Sequence, residues 1–373
     1  MKILIINTGS SSVRLGLYEA DANGSRRLAA GKYKPGSELP EDLLRRFIEE
    51  HGRIDAAVHR VVHGGPDLNE PCLITEEVEN QIDRLSELAP LHNPVALQWI
   101  RACRTVAGSD IPNIALFDTA FFASMPGVSR IYALPRELCK EHGIKRYGFH
   151  GIAHRAMLKR YKELSPDNGR VISIQLGSGC SMTAVKDGLP VDTSMGFSPN
   201  EGLVMSTRSG DIDSGVITYL QNKAGLSANE IDRMLNSSSG LLGVSGISND
   251  MRTLIESDSP DAKLAVELYC YRVKKYIGAY MAVLNGVDAI LFGGGVGENA
   301  PQIRKKIIEN MEWCGLQIDD RTNQEALGKE AFISSDKSSI DVIVVPVDEA
   351  ALMAEEAVNL LQGPVPTVPT SNS

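Results

Sequence analysis

Lys2-Ile3-Leu4-Ile5-Ile6-Asn7, Thr8-Gly9-Ser10-Ser11-Ser12 and Val13-Arg14-Leu15-Gly16-Leu17-Tyr18 follow one another as an apolar run, a small polar turn and an alternating run. That order predicts a β-hairpin. Its turn is rich in hydrogen-bond donors: Gly9 lets the backbone approach an anion closely, and three serines add hydroxyls to the backbone amides. It is not a Walker A loop, because no Gly-Lys-Ser/Thr follows and the next element reads as a strand.

Near mid-chain the plan recurs. Val171-Ile172-Ser173-Ile174-Gln175-Leu176 runs into Gly177-Ser178-Gly179-Cys180-Ser181, then Met182-Thr183-Ala184-Val185 and an Asp187-Gly188 turn. Repetition at half the chain length predicts duplicated domains facing each other across a cleft, each with one phosphate loop. Helices are expected over Pro94–Val106, Pro135–His142 and Asp261–Leu284, the last buried between elements because its apolar residues occupy more than one face. A third glycine loop, Gly293-Gly294-Gly295-Val296-Gly297-Glu298-Asn299, follows the apolar run Ala289–Phe292, with a helix from Pro301. A final helix is expected from about Glu349 to Gly363, and the Pro/Thr/Ser tail 364–373 is expected to be disordered. The expected division is 1–149 plus helix 353–363 against 150–352.

Composition narrows the class. The chain has 373 residues, enough for two cores, with 43% hydrophobic and 23% charged residues. A net charge of −9 argues against a nucleic-acid-binding surface. The N-terminal apolar stretch is too short for a signal peptide, and no run reaches membrane-helix length. Six scattered cysteines, none in a C-x-x-C pair, read as those of a reduced cytoplasmic α/β enzyme rather than a disulfide framework or a zinc site.

Three segments place polar residues where a pure core would not. His59-Arg60-Val61-Val62-His63-Gly64-Gly65 sets a guanidinium beside backbone-exposing glycines. Phe117-Asp118-Thr119-Ala120-Phe121-Phe122 puts one carboxylate in an apolar run, where an unpaired charge is costly. The stretch from Asp192 through Pro199, Asn200 and Glu201 leads to Thr207-Arg208-Ser209-Gly210-Asp211. Singly, each has a bland reading as surface cation, cap or ion pair. Together, two arginines, one carboxylate and phosphate-binding hairpins suit phosphoryl transfer, in which the protein positions reactants and neutralises charge. Arginine suits that work because its planar fork grips phosphate or carboxylate through paired hydrogen bonds.

The chain resembles the acetokinase family over nearly its whole length. The resemblance is carried by Asn7–Ser12, His59–Gly65, Leu91-His92-Asn93-Pro94, Phe117–Phe121, Tyr147-Gly148-Phe149-His150-Gly151, Asp192–Asp213 and Gly295-Val296-Gly297-Glu298-Asn299. It implies two duplicated actin-like (ribonuclease H-like) domains with a central active-site cleft, as in the actin, sugar-kinase and heat-shock ATPase superfamily. It implies reversible in-line transfer of the γ-phosphoryl of ATP to acetate, with Mg²⁺ or Mn²⁺, by a cytoplasmic homodimer without nucleic-acid or membrane partners. By position, Arg60 and Arg208 match the arginines holding the carboxylate and the moving phosphoryl group, His150 the transition-state histidine and Asp118 the essential aspartate. Asn7 and Glu349 match positions tied to phosphate and magnesium. Val62, Leu91, Phe149 and Pro199 match the pocket for the substrate methyl. Arg14, Gly177, Ser178, Gly179, Asp250, Met251, Arg252, Gly295, Val296, Gly297 and Asn299 match positions that bind ATP.

Five positions depart from the family pattern: Arg14 for lysine, Ser178 for asparagine, Gly293-Gly294 for Thr-Ala, and Asn200 for leucine beside the acyl pocket. Three alternatives stand beside this reading. A propionate or butyrate kinase would share the family. An NAD-dependent dehydrogenase would use Gly295–Ala300 as a G-x-G-x-x-A fingerprint, with Asp319 as the ribose-binding acid. A chaperone-like ATPase module would hydrolyse ATP slowly without any carboxylate.

Overall fold

The computed structural model describes residues 1–9, 12–166 and 169–363. Ser10 and Ser11 of the first loop, and the tail 364–373, lie outside the described residues. The described chain forms two compact units: Met1–Phe121 with the chain from Asp348 onward, and Phe122–Val347.

The first unit is built on β1 (Lys2–Thr8), β2 (Val13–Asp21), β3 (Gly24–Tyr33), β4 (Ala56–Val61), β5 (Cys72–Leu73) and β6 (Asn113–Phe117), in the order β3-β2-β1-β4-β6-β5. β1 and β2 pair antiparallel as the predicted hairpin, with Asn7 opposite Arg14, while β1, β4 and β6 run parallel. Every residue of β1 after Lys2 is buried, which explains its unbroken apolar run. Leu4 and Ile6 join Leu43, Leu44 and Phe47 of helix Pro40–His51 and Trp99 and Ala102 of helix Asn93–Ala107. Helix Glu349–Gln362 packs on β1, β2 and β3.

The second unit repeats this topology. Its strands are β7 (Arg170–Leu176), β8 (Cys180–Lys186), β9 (Leu189–Thr193), β10 (Ala289–Gly293), β11 (Ala331–Phe332) and β12 (Asp341–Val344), ordered β11-β12-β10-β7-β8-β9. Read from the other edge, each unit is an antiparallel meander of three strands, two parallel strands and a short antiparallel edge. These are two duplicated actin-like domains. The turn after β8 has Asp187 at φ 53° and Gly188 at φ 81°, as a two-residue hairpin turn requires.

Two expectations need correction. Gly294–Asn299 is a short helix and not a loop: Gly294, at φ 76°, turns the chain at the end of β10 and helix follows at once. The long helix, Pro260–Val283, buries one stripe (Ala262, Ala265, Tyr269, Val273, Ile277, Tyr280) and leaves Leu264, Tyr271 and Val283 exposed.

The units divide at Phe121/Phe122 and Val347/Asp348, not at the 149/150 and 352/353 positions drawn from sequence. Segment 122–148 is tied to the second unit by its own contacts. Phe122 meets the His154 ring edge-on at 6.3 Å, Arg146 donates to Thr193 O and pairs with Glu201, and the Tyr132 hydroxyl bonds the same carboxylate. At the other end, Asp348 caps helix Glu349–Gln362 and accepts from the Tyr18 hydroxyl at 3.1 Å.

Candidate active site

In the first unit the parallel strands deliver their C-terminal ends to one place. β4 ends in Arg60-Val61, and Asp118 directly follows β6, its amide bonded to Val61 O at 3.0 Å. Asp118 is fully buried, and Arg60 Nη2 donates to its Oδ2 at 2.5 Å while Nε donates at 3.1 Å. The remaining arm of the fork, Nη1, donates to Asn7 Oδ1 at 3.2 Å, and Asn7 Nδ2 donates to Glu349 Oε2 at 2.6 Å. Strand end, strand end, hairpin and helix start are thus joined as Asp118–Arg60–Asn7–Glu349. Burial opposes the charge on Arg60, but Asp118 and Glu349 outweigh it and hold the guanidinium protonated above its ordinary range.

The floor behind Arg60 is neutral. His59, fully buried, bonds Asn113 Oδ1 at 2.8 Å, and burial lowers its pKa to about 4. Gly64 N donates to Thr119 Oγ1 at 3.0 Å, and a Cβ on Gly64 would lie 2.3 Å from Leu68 O, so glycine is required there. The hairpin turn closes with Gly9 N donating to Ser12 O at 2.9 Å. Arg14 is exposed on β2, Val62 is buried, and Leu91 is 54% exposed.

In the second unit the β7–β8 turn mirrors the first, with Gly177 N donating to Gly179 O at 3.1 Å and Ser178 exposed. His150 begins helix Gly151–Leu164 in a left-handed conformation, φ 60°. Its ring is held by the contact of Nδ1 with Ser181 Oγ at 2.9 Å. A Cβ placed on Gly179 would lie 3.2 Å from both His150 Nε2 and Cε1 and 3.6 Å from Arg208 Nη1. The bare glycine therefore leaves an atom-sized space flanked by two nitrogen donors, suited to an anionic oxygen. Arg208 Nη1 also donates to Pro199 O at 3.2 Å. Phe149 is buried, and Pro199 is partly buried.

The positions expected from sequence to bind adenosine lie on two short helices. Asp250 caps helix Met251–Ile255, accepting from Arg252 N at 2.9 Å and pairing with the exposed Arg252 guanidinium at 2.9 Å; Met251 is buried. Gly295, Val296, Gly297 and Asn299 lie on helix Gly294–Asn299, where Gly295 is exposed and Asn299 Nδ2 donates to Gly295 O at 3.0 Å. The strand before it, β10, lies inside a sheet whose other half is an antiparallel meander rather than at the head of a run of parallel strand-helix repeats, which argues against a dinucleotide fingerprint. Asp319, the supposed ribose acid, caps helix Asp320–Glu325 through Thr322 N at 2.8 Å.

Sequence reasoning missed Ser181 and His154, which stand directly behind His150, and Glu298, whose Oε1 accepts from Gly294 N at 3.0 Å and Val347 N at 3.2 Å. The His150/His154 pair was detectable, since a spacing of four places both on one helix face. Glu298 bonds backbone amides only, which no residue pattern reveals.

Duplicated actin-like domains, each with a phosphate-type hairpin and an arginine set among polar partners, define a phosphotransferase. The acetokinase family profile matches residues 36–355, and the chain belongs to that family. It is 46% identical to the acetate kinase of Oceanobacillus iheyensis, with 96% of this chain and 98% of that protein aligned. It is 48% identical to the acetate kinase of Chloroherpeton thalassium, over 81% of this chain and 75% of the relative. Among solved structures, the acetate kinase of Porphyromonas gingivalis superposes with a TM-score of 0.85 at 38% identity, covering 96% of this chain and 99% of that one. A propionate kinase from Francisella tularensis gives 0.85 at 37% identity, covering 95% and 98%.

Proposed function

We propose that this chain transfers the γ-phosphoryl group of ATP to acetate, in line and reversibly, giving acetyl phosphate and ADP. The Asp118–Arg60–Asn7–Glu349 network carries the reading: a buried, permanently charged guanidinium is oriented by a carboxylate that is itself committed to that task. An acetate oxygen forms the new bond to phosphorus as the bond to the β,γ-bridging oxygen breaks, and that electron pair leaves on ADP. Acetate is already ionised near neutral pH, so no proton has to be removed and no general base is needed. Asp118 accordingly orients Arg60 rather than accepting a proton.

Arg60 and Arg208 neutralise charge on the acetate and the moving phosphoryl group, and His150 donates a hydrogen bond to it. Arg14 and the Gly177-Ser178-Gly179 turn contact phosphates. Asp250, Met251, Arg252, Gly295, Val296, Gly297 and Asn299 hold the adenosine. Val62, Leu91, Phe149 and Pro199 receive the methyl group.

Asn7 and Glu349 would hold magnesium or manganese, which supplies charge neutralisation at the phosphate oxygens. Glu349 offers hard carboxylate oxygens to such an ion, which keeps several ligands as water and substrate phosphate, while Asn7, whose Oδ1 accepts from Arg60 and whose Nδ2 donates to Glu349, orients that carboxylate. Among the described residues no cluster of three or more His, Cys, Asp or Glu side chains is arranged for a metal, consistent with a site completed by the nucleotide.

Unpaired cysteines, several with thiol pKa values raised by burial, support a reducing cytoplasm. No described helix is long and apolar enough to cross a membrane. Leu264 and Tyr271, seven residues apart on the exposed side of helix Pro260–Val283, support self-association into a homodimer through the second unit.

A second reading, a propionate kinase, is favoured by the Francisella tularensis neighbour. Comparison of kcat/KM for acetate, propionate and butyrate decides between them. One methylene is worth about 1–3 kcal/mol, so a graded preference for acetate is expected; a higher value for propionate or butyrate transfers the assignment to that acid.

A further inference from the structure

Behind His150 runs a fully buried chain of side chains. His150 Nδ1 lies 2.9 Å from Ser181 Oγ, Ser181 Oγ 2.8 Å from His154 Nε2, and His154 Nδ1 2.8 Å from Ser173 Oγ. Ser181, His154 and Ser173 each have no solvent exposure. Beyond Ser173 Oγ the next partner is Met157 Sδ, at 3.9 Å.

Counting protons gives this chain a direction. Burial lowers the His154 pKa to about 3, so the ring is neutral and carries one N–H. If that hydrogen sat on Nδ1, it would point at Ser173 and leave the Ser173 hydroxyl only a distant thioether, a weak acceptor. A buried donor so poorly matched costs about 1–3 kcal/mol. With the hydrogen on Nε2, every buried donor has a strong acceptor: Ser173 donates to His154 Nδ1, His154 Nε2 donates to Ser181, and Ser181 donates to His150 Nδ1. The proton of a neutral His150 then sits on Nε2, the nitrogen beside the space over Gly179 that Arg208 also flanks.

We propose that Ser181 and His154, oriented by Ser173, are positioning residues that hold His150 as the Nε2–H tautomer and aim that N–H at the transferring phosphoryl group. This deepens the phosphotransfer reading and rests on it for the identity of the acceptor. The opposite tautomer would present a lone pair to an anion, so fixing the tautomer fixes the sign of the contact.

Selective ¹⁵N labelling of histidine, with His150 assigned through His150→Asn, tests the proposal on the full chain without turnover. Wild-type His150 should show an unprotonated, hydrogen-bonded Nδ1 and a protonated Nε2. Ser181→Ala should abolish the hydrogen-bonded Nδ1 signature and lower kcat about tenfold or more, with KM for acetate and ATP changed less than about twofold. Ser173→Ala, farther from the site, should loosen the His154 tautomer and reproduce a weaker version of both changes even if Ser181→Ala folds poorly. A neutral wild-type His150 protonated on Nδ1 overturns the proposal, as does Ser181→Ala with unchanged ¹⁵N shifts and kcat. Should the protein phosphorylate some other acceptor, the NMR arm stands or falls by itself.

Discussion

Arg60 and Asp118 are joined by three hydrogen bonds, the closest 2.5 Å between Nη2 and Oδ2, so the buried carboxylate is held as the partner of the guanidinium. Arg60→Ala and Asp118→Ala should each lower kcat by about a hundredfold to a thousandfold, with smaller effects on nucleotide affinity. Removing either partner of the buried pair also costs stability, on the order of 3–5 kcal/mol. Chemical denaturation beside steady-state kinetics separates the effects. A folded Asp118→Ala enzyme with near-normal kcat rules out the orienting role.

Gly179 works by absence. Its backbone is not in the left-handed region, so an alanine there meets only the spatial conflict with His150 at 3.2 Å. Gly179→Ala should preserve the thermal midpoint within a few degrees while reducing kcat about tenfold or more, because the His150 ring must move aside. Unchanged kcat would mean that the space above Gly179 is not where the moving phosphoryl sits.

Asn7 and Glu349 are bonded to each other at 2.6 Å, so loss of Asn7 leaves the Glu349 carboxylate without that partner. Glu349→Ala and Asn7→Ala should raise the magnesium concentration needed for half-maximal rate about tenfold or more. Titration of activity with Mg²⁺ at fixed ATP measures this, and a wild-type metal profile in both variants contradicts the assignment.

His59 and His154 are buried neutral, with pKa values lowered to about 4 and about 3. In the unfolded chain a histidine binds its proton near pH 6.5, so below that value the unfolded state takes up protons the native state refuses. The stabilisation is complete above about pH 6.5 and is lost as pH falls toward each native value, at up to about 1.4 kcal/mol per pH unit per histidine. Urea denaturation at pH 7.5 and pH 5 should show the loss, and His59→Gln should make the slope shallower. Equal slopes in wild type and variant would show that His59 does not titrate in this way.

The fold was legible because the hairpins announce themselves: β1 and β7 are apolar runs ending in glycine-serine turns, and their repetition exposed the duplication. The unit boundary was not legible, because what ties Phe122–Gly148 to the second unit is a set of contacts made with Thr193 and Glu201, far away in sequence. The exposed apolar side of helix Pro260–Val283 misled for a related reason, since a pattern cannot say whether an apolar face has a neighbour. Arg60, Asp118, Arg208 and His150 stood out as charged or titratable groups in glycine-rich or apolar surroundings. Ser181, an unremarkable serine on a strand, acquires meaning only when the β7–β8 hairpin folds it between two histidines.

The central claim, phosphoryl transfer to a carboxylate, is tested most directly by trapping the acyl phosphate. The enzyme is incubated with Mg-ATP, acetate and hydroxylamine, and acetyl hydroxamate and ADP are quantified together. Equal amounts of the two, both dependent on acetate, are the predicted result. ADP released at the same rate without acetate, and with no hydroxamate formed, would contradict it.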